Sequence, residues 1–191
     1  HAWFNPYRAS VYSASGKGMV SDHPMEKEAL ASMNRKVGIT PELAHANDHV
    51  TNKHPEWILQ VGDKLILDPG LPEVKQYITD VVMDVVTRYD VDGVHFDDYF
   101  YPYPPNEIDN EDAATFAAHN RGFTNVGDWR RDNINRMVQQ VADSIRSVKD
   151  HVKFGISPFG IWQSGVPSWV SGMNAYTTIY ADALAWVNER T

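Results

Sequence analysis

The sequence predicts an α/β fold of the (β/α)8 TIM-barrel type, present as a partial barrel built from middle βα units. Strand-like runs alternate with helical stripes, the order that parallel βα units impose. The run from Asp92 to Asp98 is an apolar strand that delivers carboxylates to its C-terminal tip and then breaks into an aromatic, proline-rich loop. Barrels of this type build their sites at such strand ends. Only three barrel-type strands are legible, at 1–5, 92–98 and 153–157, and a closed barrel needs eight. Residues 1–191 are therefore expected to form a single incomplete domain.

In chain order, His1-Ala-Trp-Phe-Asn-Pro-Tyr-Arg8 reads as a strand ending at Pro6, with Asn5 and Arg8 at its mouth. Residues 9–21 are rich in Ser and Gly and read as loop, and Met25, Ala29 and Met33 recur at the spacing of a short helix over 24–35. Residues 41–55 are polar and carry His45, His49 and His54. No helical HExxH pattern accompanies them, and Asn47, Asp48 and Asn52 mark a loop, so no metal site is expected there.

Residues 57–62 and 64–68 predict a hairpin. Pro72 opens a helix at the position where its missing N–H costs nothing. Val74, Tyr77, Ile78, Val81, Val82, Val85 and Val86 give that helix an apolar stripe as far as Tyr89. After the Pro-rich loop, residues 110–118 start a short helix with acids in its first turn. Residues 122–127 form a connection, and Asp128 caps a long helix striped by Ile134, Met137, Val138, Val141, Ile145 and Val148. The strand at 153–157 has Ser157 and Pro158 at its tip, an aromatic loop with Trp162 and Trp169 follows, and a final helix covers 178–189.

A formal charge of −8 argues against polyanionic partners, because nucleic-acid binding normally shows a basic face. No apolar run approaches the roughly 18 residues of a membrane span. The absence of Cys removes disulfides, thiol nucleophiles and Cys-based zinc sites. Six Trp, nine Tyr and seven Phe supply flat apolar faces suited to stacking on sugar rings, although rings of this kind also build cores.

Within 93–99 the two faces separate: His95, Asp97 and Tyr99 point one way, Val94, Phe96 and Asp98 the other. The apolar pair belongs under helices, so His95, Asp97 and Tyr99 are expected to face the lumen, with Asp97 as the principal acid. Asp98 either orients neighbours and binds a loop, or turns inward as a second acid. Glycosidases place two carboxyls about 5–5.5 Å apart for retention and about 6.5–9.5 Å apart for inversion. Adjacent strand residues diverge, so a second acid from another strand mouth is the other open route. Candidate substrate-binding residues are Asn5, Arg8, His95, Tyr99, Tyr101, Ser157 and Trp162; for His95, Arg8 and the tyrosines a purely structural role stays open. No cofactor is implied.

The runs HAWFNPYR, LDPGLPEV, YDVDGVHFDDYFYPYP and FGISPFGIW, in this order, resemble the bacterial glycosyl-hydrolase-like 10 family across nearly the whole chain. The resemblance implies a barrel similar to the α-amylase clan and hydrolysis of a polysaccharide. Family members include envelope proteins that cut peptidoglycan glycan strands stripped of their peptides. It also implies an envelope or secreted location, periplasmic or as an outer-membrane lipoprotein. In that clan the comparable strand reads Asp-Gly-Phe-Arg-x-Asp and ends in the nucleophile; Asp97 holds that position here, with His95 where the Arg would stand. The clan's general-acid Glu has no counterpart in residues 154–159. By the same resemblance, strands before His1 and after Arg190 are missing, and the chain alone is expected to be inactive and to self-associate through open sheet edges. A carbohydrate-binding barrel without catalysis, using Tyr99, Tyr101, Trp162 and Trp169 as platforms, is the alternative. A metal- or phosphate-dependent barrel enzyme is a weaker one, since no Gly-rich phosphate loop or basic cluster is visible along the chain.

Overall fold

The computed structural model describes residues 1–4, 6–7 and 49–189. Asn5, Arg8, His45, the Ser/Gly-rich loop and the helix expected over 24–35 lie outside the described residues. The described chain is a mixed α/β fold with one parallel sheet and one hairpin.

The sheet holds β1 (Ala2–Phe4), β4 (Gly93–Asp97) and β5 (Lys153–Ser157), with β4 in the middle and both pairings parallel. Phe4, Phe96 and Ile156 share one register level, and Trp3, His95 and Gly155 the level before it. Parallel strands need helical crossovers, and the chain provides them as α2 (Pro72–Arg88) before β4 and α4 (Val126–Val148) before β5.

These helices cover one face of the sheet. Val74, Ile78, Val82 and Val86 of α2 and Ile134, Met137, Val138, Val141 and Ile145 of α4 are buried in one cluster with Val94 and Phe96. Phe96 lies edge-on to Phe4 at 6.1 Å and to Phe154 at 4.9 Å. Both stripes are those read from the sequence, except that Val81 and Val148 at their margins are exposed. The two helices are also joined by Gln140, whose Nε2 donates to Gln76 Oε1 and Thr79 Oγ1, each at 3.1 Å.

The hairpin pairs β2 (Ile58–Val61) with β3 (Lys64–Leu67), as expected. Its turn places Gly62 at φ +59°, where a Cβ would also strike Asn106 Oδ1. Glycine is the residue that meets both demands. The Leu67 amide donates to the Tyr7 carbonyl at 2.9 Å, so the hairpin is fastened to the segment leaving β1.

Three boundaries differ from expectation. The polar stretch before the hairpin contains one helical turn, α1 (Val50–Lys53), capped by His49, and a 3-10 turn over Pro55–Trp57. Helix α4 begins at Val126, not behind Asp128: Asn125 is the cap, and its Oδ1 accepts the Asp128 amide at 3.0 Å. The final helix is two short ones, α5 (Ala175–Thr178) and α6 (Ala183–Glu189), separated by Tyr180 at φ +55°. Between β4 and α4, α3 (Ala113–His119) occupies the place expected for a short helix.

Candidate active site

Strand β4 carries the period-two alternation into three dimensions. Val94 and Phe96 are buried in the cluster they share with the helices, and Asp98, just past the strand, is buried as well, while His95 and Asp97 are half-exposed on the opposite face and Tyr99 is exposed beyond them. Ser157 lies opposite Asp97 in the β4–β5 register, and its hydroxyl is 2.9 Å from His95 Nε2. His95, Asp97 and Ser157 thus share one face at the C-terminal end of a parallel sheet, and Asp97 also accepts the Asp98 amide at 3.1 Å. Gly155 sits beside the imidazole, where a Cβ would make ordinary contact, 3.9 Å from His95 Nδ1.

Asp98 takes the loop-binding role that the sequence left open. It is 5% exposed, and its Oδ2 accepts from the Tyr103 hydroxyl at 2.6 Å. The Phe159 amide also donates to this carboxyl. One carboxylate therefore fastens the loop after β4 to the loop after β5, and Tyr103 meets Phe159 edge-on at 6.0 Å. Burial raises the Asp98 pKa, the Tyr103 hydrogen bond pulls it back, and the neighbouring Asp97 charge adds to the rise. Burial and then the bond to Asp98 raise the Tyr103 phenol. The two carboxyls lie on opposite sides of the strand and do not flank one bond between them.

The aromatic candidates divide. Tyr99 is half-exposed and rests against Tyr103 at 5.1 Å. Tyr101 requires a correction: it is 1% exposed and packs edge-on against Tyr180 at 4.9 Å, so neither ring face is free to stack on a sugar. Trp162 is half-buried; its indole N–H donates to Asp182 at 3.1 Å and its ring meets Tyr176. Trp169, at 81% exposure, is the open ring of that loop.

The structure also holds a buried polar network that the strand and helix patterns do not reveal. Arg130 and Asp112 form a two-pronged pair, Nε to Oδ2 at 2.8 Å and Nη2 to Oδ1 at 2.6 Å, with both side chains at or below 3% exposure. Arg130 also donates to the Asp109 carbonyl and the Tyr180 hydroxyl, each at 2.7 Å. Burial works against its charge, but the bonds to Asp112 more than offset this and hold the guanidinium above its ordinary pKa. Nearby, buried Asp68 accepts from the Thr115 hydroxyl and, at 2.8 Å, from the Gly70 amide. Burial raises its pKa, and Asp112 adds to this against those two bonds. The readable signal was Arg130 and Asn133 at the spacing of the apolar stripe of α4, where a charge is almost always paired.

His49 caps α1 and His54 stacks on Trp57 at 3.8 Å while bonding Glu56 at 3.0 Å, so both have local structural roles. Among the described residues no three His, Asp or Glu side chains gather in a way that could hold a metal. Among the same residues no helix is long and apolar enough to cross a membrane.

The family model for glycosyl hydrolase-like 10 matches residues 1–191. The chain belongs to this family. As a member of the glycosyl hydrolase-like 10 family it is 35% identical to glycosyl hydrolase YngK of Bacillus subtilis, over 99% of this chain and 33% of that protein. It is 37% identical to glycosyl hydrolase DigH of Escherichia coli K12, over 99% of this chain and 40% of that protein. A shorter match, 29% identical over 32% of this chain and 9% of the other, joins it to alpha-galactosidase C of Emericella nidulans. The chain thus spans a third to two-fifths of the length of these two bacterial relatives.

Proposed function

We propose that the full-length protein is a glycoside hydrolase acting on a polysaccharide, with bacterial peptidoglycan glycan strands as the leading substrate, and that its parallel strands belong to a (β/α)8 barrel. The observation that supports this is the half-exposed Asp97 carboxyl beside His95 and Ser157 on the face of the sheet opposite the helices, at the C-terminal end of the central strand. In that position the carboxylate stabilises an oxocarbenium-like transition state or attacks the sugar carbon, and His95 and Ser157 hold substrate hydroxyls. Asp98 is engaged by Tyr103 and Phe159, so the partner acid comes from another part of the protein. Cell-envelope placement goes with such a substrate.

The exposed Trp169 and Tyr99 rings favour one second reading, a carbohydrate-binding barrel without turnover. Asp97→Asn in the full-length protein separates the two. The hydrolase reading expects release of soluble products from peptide-free glycan strands to fall by at least about a hundredfold, with retention of the strands largely kept. Unchanged product release would remove Asp97 from the mechanism. Retention without release in the wild-type protein would leave the binding module.

A further inference from the structure

The sequence has no run of basic residues, yet the fold gathers three cations from three separate segments. Lys75 from the first turn of α2, Arg121 from the turn after α3, and Arg136 from α4 line one cavity of about 100 Å³, together with Gly70, Leu71 and Asn133. Three features of this cavity select a negatively charged guest.

The first is the start of α2, a helix of 17 residues whose cap residue, Leu71, has no side chain to accept its first-turn amides. Such a terminus carries partial positive charge. The second is charge balance. Arg121 is paired with Asp132, Nη2 to Oδ2 at 2.7 Å, but among the described residues neither Lys75 nor Arg136 has an ion-pair partner. Lys75 is held below its ordinary pKa, by burial first and then by Arg136 and Arg121, with Asp132 opposing. Glu73 in the first turn of α2 is not among the cavity's walls.

The third feature is independent of charge. Asn133 is 4% exposed, and its Oδ1 is taken by Arg121 Nη2 at 2.5 Å. That contact fixes the amide's orientation, because a guanidinium needs an acceptor. Its Nδ2 is then a buried donor with no acceptor. A buried N–H of this kind is costly unless something accepts from it. An oxyanion would satisfy the Asn133 amide, the bare helix start and the unpaired cations together.

We propose that this cavity is a binding site for a single oxyanion, a phosphate, sulfate or carboxylate group, either free or carried by a sugar. A space of about 100 Å³ suits one such group rather than a sugar ring, so a glycan would leave its ring outside. The site lies on the helical side of the molecule and does not depend on the role given to Asp97.

Isothermal titration of the full-length protein with inorganic phosphate and with glucose 6-phosphate, at fixed ionic strength, tests it. Asn133→Asp keeps the acceptor for Arg121 and the shape of the side chain but replaces the free donor with a carboxylate. It and Arg136→Gln are each expected to weaken binding by about tenfold or more. Arg88→Gln, at the far end of α2, is expected to leave binding unchanged. Equal affinity for the two ligands assigns the site to a free anion, and tighter glucose 6-phosphate assigns it to an anionic sugar. No binding of either ligand by the wild-type protein, or the same affinity in Asn133→Asp, overturns the proposal.

Discussion

Asp97 and Asp98 are chain neighbours with opposite surroundings, and the difference makes a testable statement about pH. Asp98 is buried and held above the usual carboxyl range, so in the folded state it keeps its proton at pH values where the unfolded chain has lost it. A folded-state value above the unfolded one gives stability that is complete below the unfolded pKa and declines as pH rises through the folded one. Asp68, also raised by burial, contributes with the same sign. Asp98→Asn removes one of the two contributions. Urea unfolding from about pH 4 upward should therefore show a shallower loss of stability in Asp98→Asn than in the wild-type protein. Parallel curves would mean that Asp98 is not strained by its charge. The outward set His95, Asp97 and Tyr99 was legible because a strand has one strict period and one covered side. Tyr101 was not, since it lies past the end of that period, in a loop where its ring packs against Tyr180, far away in sequence.

Between elements, the Arg130–Asp112 pair joins α4 to the segment ahead of α3 and, through Tyr180, to the turn between α5 and α6. Removing one partner of a buried pair leaves the other charge uncompensated, at a cost of about 3–5 kcal/mol. Arg130→Ala is expected to lose that much in urea unfolding, and Arg130→Met with Asp112→Leu to recover a large part of it. A loss below about 1 kcal/mol would place the pair among surface bridges despite its burial. The same network accounts for one boundary that differs from the sequence reading, the break at Tyr180. Periodicity located α2, α4 and the hairpin, because each depends on residues near in sequence. The break at Tyr180 depends on a hydroxyl bonded to Arg130, 50 residues away, which no local pattern contains. The start of α4 is ambiguous in sequence because Val126 and Gly127 carry no stripe, and Asn125 and Asp128 are both fit to cap. The basic cavity was hidden for the same reason as Tyr180: Lys75, Arg121 and Arg136 come together only when α2 packs against α4.

At the scale of the whole molecule, the sheet is unevenly finished. Strand β4 has a partner on each side, whereas among the described residues β5 pairs with β4 alone. Beside β5 lies a hollow of about 370 Å³ lined by Phe154, Ile156, Pro158, Ala183, Trp186 and Val187. Leu184 and Val187 on α6 are 46% and 75% exposed nearby, so among the described residues apolar side chains and strand groups without a ladder partner share one flank. An open edge backed by an apolar surface is a template for another chain, whereas a net charge of −8 opposes close approach of two copies. Repulsion between exposed charges is screened beyond about 8 Å at physiological salt, while apolar burial is not, so association should win as salt rises. Prepared as these 191 residues alone, the chain is expected to show a concentration-dependent increase in mass by sedimentation, stronger at high salt. Leu184→Lys with Val187→Lys places two cations on that flank and should shift the protein toward monomer without touching the β4 site. If the wild-type chain stays strictly monomeric across salt, the β5 flank is not an association surface; if the double variant associates as strongly as wild type, contact is made elsewhere.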